Sequence, residues 1–285
     1  MKRLRRTLLT AAALLLFLVL AGATYQGAAT ALERREYKHL GRLVDVGGHQ
    51  LQIYCTGTGS PTVVLEAPAT GMSAAWGWVQ PSVAQFTRVC SYDRSGLGWS
   101  EAGDRPFDPS AVPGQLRALL QRAQEPGPYV MAGQGLGAAF ATSYAARFGP
   151  EVAAIVLVDP PAAGAESERD LMMRLVKTWP WLARVGLLRA TRLMSSNATG
   201  LPRPSAGALS AFLNRPDHLT RAALELSRWD DAVALADGAI LAPTVRVVRI
   251  EAAGHERIAL LAGEATARKV SMVLTGIVET IRTHP

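Results

Sequence analysis

The sequence predicts an α/β protein: a mostly parallel sheet covered by helices on both faces, with a helical lid inserted after the sixth strand. Three observations predict it. From Gly41 onward strand and helix signals alternate, the order that builds a parallel sheet. AAIVLVD, residues 153 to 159, is apolar at every position but its last, as a strand buried on both faces is. VMAGQGLGAAFA, residues 130 to 141, runs from a strand through a tight glycine turn into a small-residue helix.

The first element is not part of that sheet. MKRLRR puts four cations in the first six residues, a basic tip on the cytoplasmic side. Residues 7 to 32 then hold no Asp, Glu, Lys or Arg. A helix needs about 20 apolar residues to span a bilayer, so 7–32 reads as a transmembrane anchor. A cleaved signal peptide is the other reading, with Ala21-Gly22-Ala23 as its cleavage site. Either way the bulk of the chain lies outside the cytoplasmic membrane, single-pass if anchored, secreted or periplasmic if cleaved.

Residues 40 to 160 form the first part of the core. RLVDV and HQLQIY make a hairpin around Gly47-Gly48. PTVVLEA and TRVCSYD are the third and fourth strands. PGQLRALLQRAQ is a helix with Leu116, Leu119 and Leu120 on one face. PYVMAG is the fifth strand, Leu136 to Arg147 a helix, and AAIVLVD the sixth strand. Residues 161 to 238 read as helix without strands: 165–194, 205–213 and 218–236. Residues 239 to 285 return to the core, with TVRVVRI as the seventh strand. A last helix from Thr266 to Ile281 carries Val270, Val273, Leu274, Ile277, Val278 and Ile281 in a stripe.

Net charge is +7 over 285 residues, 49% of them hydrophobic. Beyond the N-terminus the cations are scattered, with no basic stripe interleaved with aromatics, so nucleic acid is excluded as a partner. The sequence calls for no cofactor and no metal.

Two machines use a strand–glycine turn–helix. One cradles a dinucleotide pyrophosphate on the helix N-terminus. Gly133, Gly135 and Ala138 satisfy its G-x-G-x-x-A spacing, and Asp159 ends the next strand, where an acid grips a ribose. That fold needs further strands after Asp159, and residues 161 to 238 supply helix instead. The other machine aims a nucleophilic serine from a sharp elbow. HQLQIYCTGTGSPTVVLEA, WGWVQPSVAQFTRVCSYDRSGLGWS and PGPYVMAGQGLGAAFATSYAARFGPEVAAIVLVDP resemble a family of membrane-anchored or exported bacterial α/β-hydrolase-fold proteins.

The resemblance implies roles. The family writes its elbow G-H-S-x-G; here it is Gly133-Gln134-Gly135-Leu136-Gly137, with the nucleophile position occupied by Gly135. Acyl transfer needs a side-chain hydroxyl or thiol, and glycine has none. It adopts strained elbow angles freely, so Gly135 keeps the turn and removes the chemistry. The oxyanion hole implied by the family uses the N–H groups of Leu136 and Ala69. The Ala69 loop is EAPATG, with Pro68 where the family has glycine, and Gln134 stands where the family has His. His255, after the last strand, is the implied base; it also reads as an ordinary loop histidine. Asp159 is a possible acid or a strand-end cap, with Glu251 a third candidate, because seven strand signals are found where the family has eight. Ser95, in a turn, and Ser143, two helical turns past the elbow and expected buried, are poor substitute nucleophiles.

The fold makes the second and fourth strands neighbours, so Cys55 and Cys90, the two cysteines, are expected to form a disulfide; two buried thiols are the alternative. The lid would present Met172, Met173, Trp179, Trp181 and Leu182 with Arg174, Lys177, Arg184, Arg189 and Arg192. It reads as an apolar cover over the pocket with solvated cations, or as a basic amphipathic surface on anionic lipid. The expected function is that of an impaired (pseudo-)hydrolase that binds a small apolar ligand or a partner. The alternatives are a weak esterase of small apolar esters and the dinucleotide binder.

Overall fold

The computed structural model describes residues 2–103, 106–161, 175–251, 261 and 263–283. A single sheet organises them. Its strands are β1 (Arg42–Asp45), β2 (Gln50–Thr56), β3 (Thr62–Glu66), β4 (Val89–Tyr92), β5 (Tyr129–Gln134), β6 (Val152–Val158) and β7 (Arg246–Ile250). They lie in the order β1-β2-β4-β3-β5-β6-β7. β1 and β2 are antiparallel to their neighbours, and every pairing from β4 to β7 is parallel. The dinucleotide reading requires the doubly wound order 3-2-1-4-5-6, which this sheet does not have.

The central strands β3, β4 and β5 are buried at every position, as strands covered on both faces are. On one face, α3 (Val112–Arg122) and α4 (Leu136–Arg147) bury Leu116, Leu119, Leu120, Ala141 and Tyr144 against Ile53, Val64 and Met131. On the other, α2 (Val79–Val83) and the C-terminal helix pack Val83, Val270, Leu274 and Val278 against Val63, Leu65 and Val130. That last helix, Glu264–Thr283, buries the four deepest members of the predicted stripe and half-buries Val273 and Ile281.

Cys55 on β2 faces Cys90 on β4 in register, and the two form a disulfide. Their Cα atoms are 4.0 Å apart. Directly opposed residues on antiparallel strands lie ~4.5–5.5 Å apart at Cα, and this pair is closer still.

The described part of the insertion is helical throughout: α5 (Trp179–Arg184), α6 (Leu187–Thr191), α7 (Arg203–Phe212), α8 (Pro216–Ser227) and α9 (Trp229–Asp237). Two runs read as continuous helices are broken. Gly186 adopts φ +72 between α5 and α6, and Arg228 adopts φ −111, ψ 22 between α8 and α9. The second break lets Ala232, with Trp229 and Val233, fold back onto Leu136 and Phe140 of α4. Met172, Met173 and Arg174 lie outside the described residues.

Helix α1, Lys2–Glu36, is continuous. Its most apolar 18-residue window has a mean hydropathy of 2.2 and is wholly unburied, so it is long and apolar enough to cross a membrane. A signal sequence near the N-terminus meets the same criterion.

Candidate active site

The glycine turn sits at the C-terminal end of β5, near the middle of the sheet. Its outer glycines are fixed by packing. A Cβ on Gly133 would strike the Gly137 carbonyl, and a Cβ on Gly137 would come within 2.5 Å of the Ala67 oxygen. Strand β5, helix α4 and the end of β3 therefore touch backbone to backbone. Gly135 is different. Its φ is +53 and its ψ −123, the strained elbow region, yet among the described residues a Cβ built there meets nothing within 4 Å.

The backbone around it is tied down. Gly135 N–H donates to Val158 O (3.0 Å), so the elbow is anchored to the last residue of β6. The next residue, Asp159, has φ +46, and its N–H donates to Ile250 O (2.7 Å) at the end of β7. Asp159 is half-buried, and among the described residues its carboxylate has no hydrogen-bond or ion-pair partner. The fold thus brings one acid candidate beside the elbow. Glu251, exposed, follows β7. His255 lies outside the described residues.

Leu136 opens α4, where an N–H has no partner within its own helix. Ala69 packs against the cluster that contains Leu136, so the two candidate oxyanion residues come together. A cavity of about 60 Å³ lies beside them, lined by Pro68, Ala69, Gln134, Leu209, Leu213 and Leu261 among others. That volume holds a few waters, each needing ~10–15 Å³, or one small group. Gln134 is buried and occupies its wall. Ser95 is buried and hydrogen-bonded to Glu101 O and Gly103 N–H. Ser143 is half-buried rather than buried, and its hydroxyl donates to Ala139 O one turn back.

Residues that the sequence did not point out shape the loop carrying Ala69. Pro68 to Gly71 form a turn closed by Gly71 N–H to Pro68 O (3.0 Å), with Thr70 at φ +59. A β-branched residue there is strained, and two buried side chains hold it. Arg94 donates to Ala67 O (2.7 Å) and Pro68 O (2.9 Å). His218 of α8 accepts from Gly98 N–H at Nδ1 (3.0 Å), so its Nε2–H donates to Thr70 O (2.9 Å).

Arg94 is also gripped by Glu225 of α8, at 2.8 Å through both Nε and Nη2, and touches Glu66 of β3 at 3.2 Å. All three are nearly solvent-free. One guanidinium faces two carboxylates, so a proton is favoured on the more weakly held one. Burial raises Glu66 to about 7 against the pull of Arg94 and of the Tyr92 hydroxyl. Burial likewise lowers His218 to about 4, keeping it neutral. Arg94 lies in the DRSGLGWS stretch that carried the resemblance, which was the one available signal.

Cys55, Cys90 and Glu125 are the one group of possible metal-ligand atoms among the described residues, and both sulfurs are already joined to each other.

Known proteins share this architecture. A family model described as the alpha/beta hydrolase fold matches residues 61–238. An uncharacterized protein of Schizosaccharomyces pombe is 34% identical over 113 residues, which cover 39% of this chain and 21% of that protein. The uncharacterized protein YbdG of Bacillus subtilis is 26% identical over 164 residues, covering 55% of this chain and 49% of its own. The match thus spans half or less of these relatives' length. Among solved structures, the Cif epoxide hydrolase of Acinetobacter nosocomialis superposes with a TM-score of 0.68 at 13% identity, covering 90% of this chain and 96% of its own. A thermophilic esterase of Thermogutta terrifontis gives 0.58 at 18% identity, covering 81% and 94%. At such identities the likeness is one of fold. The chain belongs to the alpha/beta hydrolase fold family.

Proposed function

We propose that this protein is a catalytically impaired hydrolase, held at the outer face of the cytoplasmic membrane by residues 7–32, whose elbow pocket binds a small apolar ligand without cleaving it. One observation carries the reading. The nucleophile position is Gly135, in elbow geometry, where a Cβ would meet nothing within 4 Å among the described residues. No covalent intermediate forms without an attacking atom. Pro68, with no N–H, and Gln134, in the pocket wall, are two further departures in the same cavity. The Cys55–Cys90 disulfide suits an oxidising compartment outside the cytoplasm. Helix α1 runs unbroken through Ala21-Gly22-Ala23, which favours an anchor over a cleaved signal.

The test uses the full chain in detergent. It should neither react with a fluorophosphonate probe nor hydrolyse p-nitrophenyl butyrate above a Gly135→Ala control. Labelling of any serine would refute the impairment. Protease added to intact cells should digest the domain and leave a membrane-embedded fragment that begins at residue 1 or 2; a mature N-terminus near Thr24 would refute the anchor.

A further inference from the structure

The lid is bolted to the anchor helix. Gln26 of α1, buried, donates to Asn214 O (2.7 Å) and accepts from Arg189 Nε (2.9 Å). Arg189 also grips both carboxylate oxygens of Glu33, one of them at 3.0 Å. Further along α1 toward its N-terminus the two backbones meet. A Cβ on Gly22 would strike Val185 O, and one on Gly186 would lie 2.8 Å from Gly22 O. The break in the lid at Gly186 is where α1 passes.

The position of this contact along α1 has a consequence. Gly22 lies 15 residues past Thr7, where the uncharged stretch begins. At ~1.5 Å per residue that is ~23 Å of helix, and tilt shortens it further. A bilayer's hydrocarbon core is ~30 Å thick. If residues 7–32 enter a membrane, the lid around Val185 meets the helix before a full span is complete. The lid surface then has no water-filled space to occupy between itself and the bilayer.

Its chemistry fits that position. Leu175, Trp181 and Leu187 are 48%, 69% and 47% exposed. Lys177, Arg184 and Arg192 are exposed beside them, and the stretch 175–193 contains no Asp or Glu. Among the described residues none of these three cations has an acidic partner, and Arg184 lies over the Trp181 ring at 4.8 Å from its centroid. Tryptophan with exposed leucine and exposed cations is the composition of a headgroup-layer surface. An apolar cover would instead turn its tryptophans inward. Trp179 does so, half-buried against the lid core, while Trp181 faces away from it.

We infer that the outer surface of the lid from Leu175 to Leu193 lies in the headgroup layer of the membrane, with anionic phospholipid as its partner, oriented there by the α1 clamp. This rests on the anchor reading above. The pocket beside the elbow, roofed by Leu209 and Leu213 of the same lid, then sits just above the bilayer surface.

The experiment places a nitroxide label on the full chain in nanodiscs of phosphatidylcholine and phosphatidylglycerol. The two native cysteines are joined, so one introduced cysteine is the sole free thiol. Labels go at Trp181→Cys and Leu187→Cys, with Leu15→Cys as the bilayer reference and Met272→Cys, on the C-terminal helix, as the aqueous one. Collision with a neutral nickel chelate is compared with collision with oxygen. The nickel accessibility at 181 and 187 should be at least threefold below that at 272, and should rise when phosphatidylglycerol is replaced by phosphatidylcholine. If 181 and 187 match 272 while 15 is bilayer-protected, the inference is wrong and the anchor stands. If 15 is water-accessible or absent from the mature chain, the anchor reading fails and takes the inference with it. Protection that ignores the lipid charge overturns the anionic partner.

Discussion

Gly135→Ser should cost stability and gain reactivity, yet not turnover. The backbone at φ +53, ψ −123 penalises any residue with a Cβ, by ~1–3 kcal/mol. Among the described residues no clash adds to this, because a Cβ there meets nothing within 4 Å. For a chain of 285 residues, unfolding entropy of ~2.1 cal/mol/K per residue converts that cost to roughly 2–5 °C in Tm. Gly135→Ala carries the same strain without the hydroxyl and should melt with the serine variant. The new Oγ stands at the end of β5, so a fluorophosphonate should label it. Turnover of p-nitrophenyl butyrate should stay near the Gly135→Ala background. Pro68 and Gln134 still disturb the oxyanion site, where one lost donor costs ~10²–10³ in rate. Adding Pro68→Gly and Gln134→His should raise turnover above the single variant. Esterase-level turnover from the single change would refute the argument that the pocket has drifted. No gain from the triple change would show that His255 does not serve as a base, or that neither Asp159 nor Glu251 supports it.

Arg94→Met leaves Glu225 buried and unpaired, so by thermal denaturation it should lose ~3–5 kcal/mol; Arg94→Met with Glu225→Leu should recover part of this, and an additive loss would contradict the pairing. His218 is held neutral, lowered from 6.5 to about 4 by burial. The unfolded chain therefore binds the extra proton between those values, and this contribution to stability, on the order of 3 kcal/mol, is present above pH 6.5 and lost as pH falls toward 4. Asp93, raised to about 6, and Glu66, raised to about 7, act in the opposite sense, so the clean measure is the Tm difference between the parent and His218→Gln. It should shrink from pH 7 to pH 4.5, and a constant difference would count against the buried neutral imidazole. Reducing the Cys55–Cys90 bond opens a closure of 35 residues, and should cost ~3–4 kcal/mol by chain entropy; an unchanged denaturant midpoint in reductant would argue that the thiols are unpaired in the purified protein.

The sequence by itself determined the local elements and the residue at the elbow. Alternation and run length located all seven strands, because a strand's burial pattern is written in its own residues. The glycines at 133, 135 and 137 announced a tight turn, and position 135 showed without any coordinates that no side-chain hydroxyl or thiol stands there. The lid's breaks at Gly186 and Arg228 were less legible. A single glycine is compatible with a helix, and Arg228 breaks its helix so that Trp229 and Ala232 can reach α4. Tertiary structure alone decided the rest. Arg94 and Glu225 are 131 residues apart, and His218 and Thr70 are 148 apart. Periodicity says which face of a helix is buried, but not which buried charge it will meet. That depends on where the lid lands on the sheet, as does the meeting of Gly22 with Val185. Pairings of this kind are fixed by packing between distant segments, and no local pattern encodes the partner.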